Sequence, residues 1–72
     1  MAESEKVILY TAPSCGVCDT ARADLRAEGI EFEERDVMKK QEWFDDVLKH
    51  TIFVPLVFRG DKMEIGWKGA VG

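Results

Sequence analysis

A chain of 72 residues has room for one small domain, and a domain of that size buries only about 60% of the surface its unfolded chain exposes. Hydrophobic residues at 46% and charged residues at 33% are the proportions of a folded globular chain, which excludes disorder. The formal net charge of −4 argues against nucleic acid or an anionic membrane as the main partner, and the longest apolar run is far too short to span a bilayer.

Residues 1–5 are acidic and polar and carry no export signal, which favours a cytoplasmic chain. Residues 7–11 (Val, Ile, Leu, Tyr, Thr) are apolar almost throughout, as in a strand buried on both faces. Ala12-Pro13-Ser14 breaks it. A helix is expected over residues 16–28, with Cys18, Ala21 and Leu25 on one stripe at i, i+3 and i+7. Asp19, Arg22, Arg26 and Glu28 are its polar positions, and Gly29 stands where a C-terminal cap takes positive φ.

Residues 30–37 alternate as a second strand, with Ile30 and Phe32 inward and Glu31, Glu33 and Glu34 as a solvated face. A second helix over residues 41–49 is expected to bury Trp43, Phe44, Val47 and Leu48. Its start is poorly marked, because Lys39 and Lys40 oppose the helix dipole. Residues 54–59 read as a strand interrupted near its start by Pro55. Gly60-Asp61 is a two-residue hairpin turn with Gly first, and residues 63–66 form the returning strand. In that setting Arg59-Gly60-Asp61 is a turn, not an adhesion tripeptide. His50, the single histidine, ends the second helix, where its charge suits the dipole.

The first strand, helix and second strand make a right-handed crossover unit with parallel pairing. The last two strands make an antiparallel hairpin. The expected architecture is an α/β domain spanning residues 1–72, with a four-stranded mixed sheet and helices packed on it in the order β-α-β-α-β-β.

Cys15-Gly16-Val17-Cys18 holds both cysteines of the chain. In a reducing compartment such a pair is read as catalytic or metal-binding before it is read as a structural bridge. A thiol is reactive as its thiolate, and a helix N-terminus lowers the pKa by roughly one unit through the dipole. The backbone N–H groups of Val17 and Cys18 are the available hydrogen-bond donors. The nearest basic residues in sequence are Lys6 and Arg22, so a modest lowering is expected for Cys15. From its place at the exposed helix start, Cys15 is the expected attacker, and Cys18, on the inward stripe, the expected resolver. A zinc site within the chain is disfavoured, since the pair needs two more ligands and only His50 and carboxylates remain.

With the motif placed, the chain resembles a glutaredoxin-like protein of the thioredoxin-fold superfamily. The matching segments are residues 7–11, Ala12-Pro13-Ser14, Cys15-Gly16-Val17-Cys18, Asp36-Val37, Phe53-Val54-Pro55 and Gly66-Trp67. The resemblance implies the thioredoxin-like (glutaredoxin-type) fold, here with the final helix short or absent. It implies a cis Pro55 facing the cysteines, with the backbone of Val54 pairing with substrate. Ala12, Pro13, Val54, Pro55, Gly66 and Trp67 are the substrate-binding candidates it yields, although Trp67 is equally placed to cover the sheet end. The implied activity is thiol–disulfide oxidoreduction on protein or glutathione-mixed disulfides. The partners are those disulfides and a glutathione- or thioredoxin reductase-linked donor. No cofactor is expected to be bound, since no Gly-rich phosphate loop is present, and glutathione enters as a co-substrate at most.

The chain departs from the glutathione-using pattern in two places. Thr11, Ala12 and Pro13 stand where a lysine precedes the first cysteine, and Ile65-Gly66-Trp67-Lys68-Gly69 lacks the aspartate that holds the glutathione amine. Lys68 is the remaining cation for a ligand carboxylate. The competing class is a non-catalytic redoxin-fold binding module, or a metal or iron–sulfur carrier bridging two chains through Cys15.

Overall fold

The apolar segment after Lys6 forms the centre of the sheet. In a computed structural model describing residues 6–71, Val7–Thr11 is strand β1, with every residue buried except the half-buried Ile8. Helix α1 spans Gly16–Ala27, strand β2 Glu33–Asp36, helix α2 Gln41–Leu48, strand β3 Leu56–Arg59 and strand β4 Lys62–Ile65. Residues 1–5, read above for export signals, lie outside the described residues.

The sheet order is β2-β1-β3-β4. β1 pairs parallel with β2, Leu9 opposite Glu34, and antiparallel with β3, Leu9 opposite Val57. β3 and β4 form the antiparallel hairpin, closed by Gly60 at φ 58°. The four-stranded mixed sheet and the element order are therefore those expected.

Alternation along β1 and β3 separates the core into two layers. Val7, Leu9 and Val57 point to one face and pack with Ala21 and Leu25 of α1 and with Trp67. Tyr10 and Leu56 point to the other and pack with Val37 and with Val47 of α2. The two helices thus cover opposite faces, and each fully buried leucine contributes about 1.5–3 kcal/mol through burial.

The boundaries differ from expectation for local reasons. Helix α1 ends in a Schellman arrangement: Gly29 N–H donates to the Arg26 carbonyl at 3.1 Å and Ile30 N–H to the Leu25 carbonyl at 3.0 Å, with Gly29 at φ 72°. This cap engages Ile30, so β2 begins at Glu33 and not at residue 30. Ile30 and Phe32 still pack, half-buried, against the α1 layer. β3 begins at Leu56 because Pro55 has no N–H to give the ladder.

Helix α2 is rotated relative to the expectation. Val47 is buried and Trp43 half-buried, but Phe44 is 40% and Leu48 49% exposed, so these two are not core. Only one stripe of this two-turn helix meets the sheet. As expected, no side chain caps its start at Lys40. His50 directly follows the C-cap residue Lys49; its N–H donates to the Val47 carbonyl at 2.9 Å, and its ring lies edge-on to Phe58 at 5.5 Å.

Candidate functional site

The strand–turn–helix junction after β1 sets the cysteines. Ser14, at φ 60°, turns the chain, and Cys15 takes the extended N-cap conformation (φ −103°, ψ 104°). Its carbonyl accepts the first helical bond, from Asp19 N–H at 3.1 Å, and its sulfur accepts from Cys18 N–H at 3.0 Å. One of the two donors expected from the sequence is therefore engaged. Cys15 and Cys18 are joined as a disulfide with their Cα atoms 5.2 Å apart, inside the usual range of about 4.4–6.8 Å. Asp19 follows in the first turn, where the helix dipole favours an acid.

Exposure separates the two cysteine residues, though less than the sequence suggests. Cys18 is fully buried, whereas Cys15 is 7% exposed and thus also buried. Pro13, Ser14 and Gly16 around Cys15 are exposed.

The other candidates fall in two groups. Ala12 and Val54, both half-buried, pack against the same α2-side layer, and Pro13 is exposed beside Ala12. The Val54–Pro55 peptide is cis, and the buried Pro55 accepts from Gly66 N–H through its carbonyl at 2.7 Å. These residues thus form one connected region at the end of β1 and the start of β3.

Trp67 lies elsewhere. It is buried in the α1-side layer, and its indole N–H donates to Asp24 at 2.8 Å. Asp24 stands six residues past Cys18, about 9 Å along the helix. Lys68 pairs with the same carboxylate at 3.1 Å, so the cation offered for a ligand is engaged within the chain. The Trp67 indole first, and Lys68 second, hold the Asp24 carboxyl below its ordinary pKa.

Sequence reading also missed a polar group beside α1. Glu34 is not simply a solvated strand residue. It accepts Arg22 Nε at 2.8 Å and Nη2 at 2.5 Å, and the Thr11 hydroxyl at 3.1 Å. Arg22 Nη1 reaches Asp19 at 2.7 Å. The Arg22 fork, chiefly, holds the Glu34 carboxyl below the usual carboxylate range, and Glu34 in turn raises Arg22. The signal was available in period two: a residue opposite the inward Leu9 faces the helix, where a lone carboxylate needs a partner. Glu33, on the opposite face, pairs with Arg35 at 2.5 Å. Arg35 also donates to the Tyr10 hydroxyl at 2.9 Å.

Among the described residues, no group of three or more His, Cys, Asp or Glu side chains is arranged to hold a metal ion. Among them, too, no helix is long and apolar enough to cross a membrane.

Known proteins share parts of this sequence and this fold. The Gene 56 protein of Mycobacterium phage L5 is 38% identical over 53 residues, which cover 71% of this chain and 52% of that protein. The chain thus spans about half the length of that relative. The glutaredoxin (grx-1) structure from Archaeoglobus fulgidus superposes with a TM-score of 0.75 at 27% identity, over 89% of this chain and 77% of its own. The NrdH-redoxin of Escherichia coli, a glutaredoxin-like protein, superposes with a TM-score of 0.81 at 22% identity, over 88% and 84%, and shows likeness of fold. The sequence model of the Glutaredoxin family matches residues 7–64, which takes in both cysteines, the cis proline, the first three strands and all of β4 but Ile65. The chain belongs to the glutaredoxin family.

Proposed function

We propose that this protein is a dithiol reductase of protein or glutathione-mixed disulfides, with Cys15 as nucleophile and Cys18 as resolving thiol. One observation carries the reading: at the N-terminus of α1 the Cys15 sulfur accepts the Cys18 N–H, and residue Cys15 keeps 7% of its surface exposed while Cys18 keeps none. The donor that bonds the Cys15 sulfur in the disulfide remains in place to stabilise its thiolate after reduction.

In the cycle, the Cys15 thiolate attacks a substrate disulfide, and one substrate sulfur leaves with the bonding electron pair. The Cys18 thiolate then attacks Cys15 in the mixed disulfide, and the second substrate sulfur leaves. The substrate gains two electrons, and the Cys15–Cys18 disulfide is the oxidised product. Ala12, Pro13, Val54 and Pro55 line the docking region in this reading, with Gly66 tied to it through Pro55.

The donor that returns the two electrons is thioredoxin reductase ahead of glutathione. Lys68 pairs with Asp24 and Trp67 sits in the core, so neither of these side chains is offered to the glutathione peptide. The Escherichia coli fold neighbour is described by a thioredoxin-like activity profile, which supports the same choice.

The test is NADPH-linked reduction of a model protein disulfide, supplied in parallel with thioredoxin reductase and with glutathione plus its reductase. Turnover with the first system, lost in Cys15→Ser, is expected. Equal turnover in Cys15→Ser overturns the mechanism, and turnover only with glutathione overturns the donor.

A further inference from the structure

Polar side chains from three elements meet at Arg22, one helical turn beyond the resolving cysteine. Thr11, 1% exposed at the end of β1, donates to Glu34 of β2, and Glu34 receives the Arg22 fork from α1. The third arm of Arg22 holds Asp19. Arg22 is the first basic residue after the pair and stands four residues beyond Cys18. Four residues of α-helix turn through about 400°, so the two side chains lie within about 40° of each other on adjacent turns.

Cys18 poses a problem for the cycle. Its thiol must lose a proton before it can attack Cys15, yet full burial disfavours its thiolate. A fixed cation one turn away acts in the other direction. The charged groups on the α1 face come from β2, from β3, from β4, where Lys62 and Glu64 stand opposite Arg59 and Val57, and from the segment after it. From β2 they are Glu34 and Asp36, the latter accepting Met38 N–H at 2.9 Å. Arg59, over the Trp67 ring, and Lys68, on Asp24, lie towards the far end of the helix. On α1 itself, Arg26 lies over Phe32, and Asp19 touches Arg22.

We propose that Arg22 is a positioning residue for the resolving step: the Glu34 fork fixes its charge one turn from Cys18, where it makes the buried thiol ionisable, and Glu34 moderates that charge. This rests on the reading of Cys18 as the resolving thiol. The thiol proton goes to solvent, the Cys18–Cys15 bond forms, the bond from Cys15 to substrate breaks, and the substrate sulfur takes the electron pair.

The test is stopped-flow reaction of the reduced protein with a chromogenic aryl disulfide across pH. The first release of aryl thiolate reports attack by Cys15, and the second reports resolution by Cys18. In Arg22→Met the pH midpoint of the second phase is expected to rise by about one unit, which slows resolution about tenfold below the midpoint. In Glu34→Gln, where the cation is unopposed, the midpoint is expected to fall. Arg22→Lys keeps the charge without the fork and should lie between Arg22→Met and wild type, which secures the test if Arg22→Met fails to fold. A merely structural tie would move Arg22→Met and Glu34→Gln in the same direction. Midpoints that move together, or that match wild type, overturn the inference while leaving Cys18 as resolver. A wild-type protein with a first phase and no second overturns the reading of Cys18, and the inference with it.

Discussion

At the scale of single residues, two glycines with similar backbone angles carry different constraints. Gly29 (φ 72°) closes the cap of α1, and a Cβ there would meet nothing within 4 Å. Gly66 (φ 86°) follows β4, and a Cβ there would collide with the Ala70 carbonyl oxygen and touch Val71. That carbonyl is fixed, since it accepts Trp67 N–H at 2.7 Å across a turn through Lys68 and Gly69, both at positive φ. Gly29→Ala should therefore cost about 1 kcal/mol, the left-handed penalty alone. Gly66→Ala should cost more than twice that and disturb the Trp67 environment. Urea denaturation followed by tryptophan fluorescence measures both. The role of Gly29 was legible in the sequence because a helix stripe ended just before it. The collision at Gly66 was not, because it arises from a turn that returns a carbonyl four residues later.

At the scale of elements, legibility followed how much of each segment was decided locally. β1 has the bounds its apolar run marked, and α1 has the buried stripe Cys18, Ala21 and Leu25 that its spacing marked. Both are dense in apolar residues on the faces they bury. α2 was legible as a helix but not in its orientation. Trp43, Phe44, Val47 and Leu48 make an apolar arc wider than the surface that receives it, and only Trp43 and Val47 reach Tyr10, Val37 and Leu56. Periodicity gives the arc; the width of sheet beneath a helix depends on strand order, which no local pattern states. The candidate site divides in the same way. The cysteines and the proline were legible from spacing and from family resemblance. The Thr11–Glu34–Arg22 group was missed because its members are 11 to 23 residues apart and meet only through the register of β1 with β2. Trp67 was ambiguous because its place depends on Asp24, 43 residues away in sequence.

At the scale of the molecule, the radius of gyration is 11.6 Å, close to the roughly 11 Å of a well-packed chain of this length. A thin core on each sheet face leaves stability sensitive to charge. Glu34, Glu33 and Asp24 are all held below their ordinary pKa values, chiefly by Arg22, Arg35 and the Trp67 indole respectively. A depressed folded-state pKa stabilises the fold above the unfolded value, and that contribution is lost as pH falls through the folded value. Thermal midpoints should therefore be level from neutral pH down to about 5 and fall below about 4, where unfolded carboxylates take up protons. Glu34→Gln should show a shallower acid decline than wild type in the same low-salt buffer. A midpoint that rises on acidification would contradict this account of the ion pairs.

The central claim is the division of labour between the two thiols, and trapping tests it most directly. Reduced Cys18→Ser and Cys15→Ser proteins are each exposed to a disulfide substrate, quenched with acid and mapped by non-reducing peptide mass spectrometry. The account predicts that Cys18→Ser accumulates a mixed disulfide on Cys15, released by added thiol, while Cys15→Ser forms little adduct because Cys18 is fully buried. An adduct on Cys18 that forms as fast as the one on Cys15 would contradict it.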